Sequence, residues 1–183
     1  MSYILCIFLI VLGLPALHRG LQPEQKPEDL KKLFEVIYLN LHVKKDHKLA
    51  ASLFQSLIPD ETRLKRALRE GLSAEVRAQI VAYHKSMPVN EENVAGLVRS
   101  GQSVVKLHAA TTEEIARYEQ GSVAYKEFPG GAKRVAEQIL RKGVTFYEVE
   151  FLEPGKGAGV KYHLLYWDGE QWSMLGPVWR VLK

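Results

Sequence analysis

The sequence predicts an α+β fold: an N-terminal region of four to five helices, then a mixed region ending in an antiparallel β-meander. Three observations carry this. Between residues 27 and 101 apolar side chains recur at three- and four-residue spacing, the period of helices with one buried face. From Ser103 onward the apolar runs become β-branched and aromatic, with partial alternation. In the last third, two such runs flank Asp168-Gly169, a dipeptide that accepts the positive φ of a two-residue hairpin turn. Helices segregated from a terminal antiparallel sheet are the α+β arrangement.

The chain has 183 residues, enough for one ample domain or two small ones. With 46% apolar and 25% charged residues it is a globular composition. A net charge of +4 arises from 25 basic and 21 acidic residues with no block of one sign. No Lys/Arg stripe marks a nucleic-acid partner, and none is expected. Tyr3 to Leu17 is an apolar run of signal-peptide length, short of the roughly 20 residues of a membrane span. Residues 1–20 are therefore read as a signal peptide or N-terminal anchor. The protein is expected to be exported, secreted or periplasmic, touching membrane only through that segment if it is retained. The single cysteine, Cys6, lies inside the run. A processed chain would have no thiol for disulfides, nucleophilic catalysis or Cys-based zinc binding.

The first half, residues 21–101, is the helical region. Pro27 suits a first helical turn, and Glu28 and Asp29 complement its positive end. Leu30, Leu33, Phe34, Ile37 and Leu41 form its stripe. A second helix starts near Asp46 and is broken at Ile58-Pro59. Asp60 caps a third, which Gly71 stops. Ser73 caps a fourth, carrying Val76, Ile80, Tyr83 and Met87. Asn90 starts a short fifth through Val94, Leu97 and Val98.

The second half, residues 102–183, is read as β-α-β-α-β-β-β. Ser103 to His108 is a strand, and Thr111-Thr-Glu-Glu114 is a capping box opening a short helix. Val123 to Phe128 reads as a strand. Pro129-Gly-Gly131 leads into a helix with Val135, Ala136, Ile139 and Leu140 inside. Thr145 to Leu152 is a strand, and Val178 to Leu182 completes the sheet. A two-residue turn at Asp168-Gly169 would place Leu165 opposite Trp172 and His163 opposite Met174. Because both hairpin faces are largely apolar, the hairpin is expected to be central.

Candidate site residues concentrate on this sheet. Glu148 and Glu150 share a strand face with Phe146, and His163 shares one with Lys161, Trp167 and Trp172. If those faces coincide, a carboxylate could orient or activate the imidazole. The aromatic side chains could line a ligand site, although they also fill cores. His42, His47, His84, His108 and His163 show no metal-ligand spacing, and no cofactor motif is present. The expectation is a non-catalytic domain binding an unidentified protein or small molecule, with His163, Trp167, Trp172, Glu148 and Glu150 as ligand contacts. The alternative is a hydrolase or isomerase that uses a Glu/His acid–base pair.

Overall fold

The computed structural model describes residues 26–87 and 89–182. The apolar run 3–17, Cys6 and the expected processing region lie outside them. Among the described residues no helix is long and apolar enough to cross a membrane.

Helix α1, Pro27–Tyr38, has Pro27 in its first turn and buries Leu30, Phe34 and Ile37. A π-helical turn, Leu39–Lys44, prolongs it and carries Leu41 into the same core, ending at Lys45 with φ 59°. Helix α2, His47–Ser56, opens where the Asp46 carboxylate accepts the Leu49 N–H. Asp60 does the same for the Arg63 N–H at α3, Glu61–Ala67, and the Ser73 hydroxyl for the Val76 N–H at α4, Ala74–Lys85. These side chains satisfy N–H groups that a helix start leaves unpaired. Helix α3 ends ahead of Gly71, because Leu68 leaves the helix to form an antiparallel bridge with Leu140. The short fifth helix expected from Asn90 contracts to a 3-10 turn, Val94–Gly96.

Strand β1, Val104–Thr111, leads into α5, Thr112–Arg117, through the complete Thr111/Glu114 capping box. Helices α6, Val123–Glu127, and α7, Gly130–Gln138, follow. Strands β2, Thr145–Leu152, β3, Val160–Trp167, and β4, Trp172–Met174, complete a four-stranded antiparallel sheet of order β1-β2-β3-β4.

Two expected strands take another form. Val123 to Phe128 is helical because the Ser122 hydroxyl accepts the Tyr125 N–H at 3.1 Å, and this local cap outweighs one β-branched residue. Val178 to Arg180 is a 3-10 turn, its bonds Arg180 N–H to Pro177 O and Val181 N–H to Val178 O taking up donors that a ladder would need. The second half is thus β-α-α-α-β-β-β. The hairpin register also differs: Trp167 faces Trp172 and Leu165 faces Met174, across a four-residue connection. The cause is Asp168. Its Oδ1 accepts the N–H groups of Glu170 and Gln171, both at 3.0 Å, which holds a wider turn than the dipeptide implies. Since the register moves by two residues, the side chains nearest the turn, from Leu165 to Met174, keep their faces.

The sheet separates two cores. On one face α1, α2 and the 94–98 segment pack on Tyr147, Val149, Phe151, Leu165, Trp172 and Met174. On the other, α3 to α7 pack on Ala110, Phe146, Leu164, Tyr166 and Leu175. Each core therefore draws on both the helical half and the mixed half. The terminal hairpin is covered on both faces, as its apolar character required, although β4 lies at the edge of the sheet and not at its centre. Arg63 of α3 secures its tip: the guanidinium meets Asp168 Oδ2 at 2.6 Å and donates to the carbonyls of Trp172, Ser56 and Ile58.

Candidate functional site

Glu148 and His163 come together through an irregularity in β3. Tyr147 pairs with Leu165 and Val149 with Tyr162, so two residues of β3, His163 and Leu164, oppose Glu148 alone. This is a β-bulge, and Leu164 takes φ 54° to make it. A residue with a branched side chain in the left-handed region is strained, and here the surrounding sheet holds it. The bulge turns His163 to the face of Glu148 while Tyr162 and Leu165 both face the opposite core.

The Glu148 side chain is fully buried, and its Oε2 lies 2.5 Å from His163 Nδ1. Its Oε1 accepts the Leu164 N–H at 3.3 Å. Burial pushes the Glu148 carboxyl above its ordinary range, and the His163 and Leu164 contacts pull the other way. His163 stands edge-on to Trp179, with ring centroids 5.4 Å apart. Trp179 is seated on Gly131 at the start of α7, where a Cβ would fall 2.3 Å from the indole. Among the described residues no group bonds His163 Nε2, which is the nitrogen left to act on anything outside.

Beside this pair lies a second cluster. In the strand register His108 of β1 faces Glu148, while Lys106 of β1 and Lys161 of β3 flank Glu150. Glu127, the last residue of α6, comes down onto the same face. Lys161 Nζ is 2.7 Å from Glu127 Oε2 and 4.0 Å from Glu150 Oε2. The ammonium bond holds the Glu127 carboxyl below its ordinary range. Glu150 Oε1 accepts the Gly159 N–H at 3.2 Å. His108 Nε2 stands 3.5 Å from Glu127 Oε2 and 3.6 Å from Glu150 Oε2, yet it is buried with no hydrogen-bond partner among the described residues. Donor atoms of His108, Glu127 and Glu150 all lie within 4.8 Å of one another. Three ligands around one ion at about 2.1 Å would be about 3.0–3.4 Å apart, so the two distances from His108, 3.5 and 3.6 Å, need only a small contraction.

The five residues named from sequence are thus divided. Glu148, Glu150 and His163 share one face of the sheet. Trp167 and Trp172 belong to the other face, edge-on to each other at 5.5 Å, within the layer under α1 and α2. The bulge accounts for the split, since strict alternation keeps His163 with the tryptophans. Glu127 joins the site without having been singled out for it, whereas His108 was weighed as a metal ligand among the histidines and Trp179 as a ligand contact among the aromatic side chains. Glu127 was read as part of a strand, and Trp179 arrives by a turn after the last strand. The His108 signal was its place on a strand bearing a charge on the Glu148 side.

Chemically the face offers two things. One is an imidazole oriented by a buried carboxylate, the arrangement of a general acid or base. The other is a nitrogen and two carboxylates converging with one ammonium between them. Comparison with protein-family models, with curated proteins and with solved structures finds no match to this chain.

Proposed function

We propose that the protein is an exported, non-catalytic binding protein, and that its polar sheet face takes a divalent cation. One observation carries the cation reading: the buried His108 Nε2, without a hydrogen bond among the described residues, beside the Glu127 and Glu150 carboxylates. A buried nitrogen lacking a partner is costly, and a metal ion satisfies it. The apolar run 3–17 supports export.

Lys161 is a built-in competitor. Its ammonium already neutralises one of the two carboxylates, and its side chain is about a quarter exposed, so it can swing into solvent when an ion enters. The like-charge clash sets a moderate affinity. Zn²⁺ and Mn²⁺ titrated calorimetrically into chelator-treated protein should bind at a ratio of one for at least one of the two. His108→Ala and Glu150→Gln should abolish the binding, and Lys161→Met should strengthen it about tenfold or more. Absence of binding to both wild type and Lys161→Met at about 1 mM metal would remove the proposal.

The Glu148–His163 bond favours a second reading, acid–base catalysis of hydrolysis or isomerisation. Turnover of p-nitrophenyl esters or glycosides by wild type, lost in His163→Gln with the fold and metal binding intact, would move the assignment to an enzyme.

A further inference from the structure

A cavity of about 390 Å³ opens between α3, the start of α4 and the segment after α7, away from the sheet face. Its size falls in the range of small-molecule sites, about 300–1,000 Å³. Lys65, Arg66, Arg69, Arg77 and Arg141 line it, against two carboxylates, Glu61 and Glu70. Two of the five cations are engaged: Arg77 donates to Leu72 O at 2.6 Å, and Arg141 to Glu70 Oε1 at 2.7 Å. Among the described residues no group bonds the side chains of Lys65, Arg66 or Arg69.

Local rules account for part of this gathering. Lys65 and Arg66 lie in the last turn of α3, where the helix dipole favours cations. They do not account for Arg77, near the start of α4, where the same dipole disfavours one. Nor do they account for Arg141, brought in by the Leu68–Leu140 bridge, with Arg141 N–H on Ala67 O and Arg69 N–H on Ile139 O. Cations from three elements converge on one concavity, and its remaining wall is apolar: Leu64, Leu68 and Val81.

We propose that this cavity binds a soluble amphiphilic anion, with a carboxylate or phosphate head on Arg66 and Arg69 and an aliphatic body against Leu64, Leu68 and Val81. Guanidinium groups suit the head because they bind such anions through paired N–H donors. The apolar wall provides what a simple phosphate cannot use. The site shares no residue with the sheet-face cluster, and the two proposals stand or fall separately.

Calorimetric titration of the full chain with octyl phosphate, octanoate, octanol and inorganic phosphate tests it. Octyl phosphate or octanoate should bind at a ratio of one, inorganic phosphate at least tenfold more weakly, and octanol not measurably. Arg66→Gln and Arg69→Gln, at exposed side chains, should each weaken binding about tenfold. Val81→Asp should abolish binding of the alkyl ligands. The proposal is overturned by the absence of alkyl-anion binding at about 1 mM. It is also overturned by inorganic phosphate binding as tightly as octyl phosphate, or by affinity unchanged in the Arg66→Gln/Arg69→Gln double variant. Co-sedimentation with phosphatidylglycerol vesicles in place of binding in solution would replace the soluble ligand with a membrane surface and overturn it as well.

Discussion

Replacing Arg63 by Met should cost more than any other surface-proximal change in the first half of the chain. The Arg63 and Asp168 side chains are 15% and 3% exposed, so the 2.6 Å ion pair is largely shielded from water. Removing the guanidinium strands the carboxylate and takes donors from Trp172 O, Ser56 O and Ile58 O. Breaking a buried pair from one side costs about 3–5 kcal/mol, because the remaining charge stays desolvated. Asp168 retains the N–H groups of Glu170 and Gln171 and the Ser173 hydroxyl, which places the expected loss toward the lower figure. Urea unfolding followed by circular dichroism reads this directly. With a slope of about 2–3 kcal/mol/M, the midpoint should fall by about 1–2 M. An Asp168→Asn partner completes a double-mutant cycle, in which the coupling should exceed about 1.5 kcal/mol. The pair also sets an acid limit. Burial alone would raise the Asp168 carboxyl, but the bonds from Gln171, Ser173, Arg63 and Glu170 together hold it below its ordinary value. Its contribution is then complete above the unfolded carboxyl range, near pH 4, and is lost as pH falls through the folded value. A midpoint shift below about 0.3 M for Arg63→Met would refute the argument that this contact holds the hairpin tip.

Two further perturbations probe other parts of the fold. Gly131→Ala should displace Trp179, since the new Cβ would meet the indole at 2.3 Å; the expected loss is about 1–3 kcal/mol with a red-shifted tryptophan emission, and an unchanged spectrum would refute the seating of that ring. His84 is buried with Nδ1 2.8 Å from Ile80 O and Nε2 3.1 Å from Leu175 O, and burial holds its pKa below the ordinary value while those carbonyls and Met174 O oppose the shift. The unfolded chain therefore takes up the proton first, so stability should be level above about pH 6.5 and decline as pH falls below it. His84→Gln should flatten that decline, and superimposable wild-type and variant curves would contradict it.

The helical starts were legible because each is signalled by residues a few positions apart: Asp46, Asp60, Ser73 and the Thr111/Glu114 box all cap as their spacing implies. The separation of Glu148 and Glu150 from Tyr147, Val149 and Phe151 followed from alternation alone, and the two cores honour it. Three features were not legible. Ser122 caps α6 with the same chemistry as Ser73, but the run behind it is only five residues long and offers no helical period to read. The Arg63–Asp168 pair joins residues more than a hundred positions apart, and nothing local marks either as its partner. The bulge in β3 depends on a positive φ at a leucine, without the glycine that normally announces one. The Glu148–His163 encounter could therefore be posed from sequence only as a condition on strand faces.

That bulge has a consequence for chain length. Deleting either His163 or Leu164 would restore an unbroken pleat, with Tyr162 and Leu165 still facing one core and the surviving residue opposite Glu148. The extra residue is thus what lets Tyr162 share a layer with Leu165 and Trp167, which strict alternation would place on the opposite face.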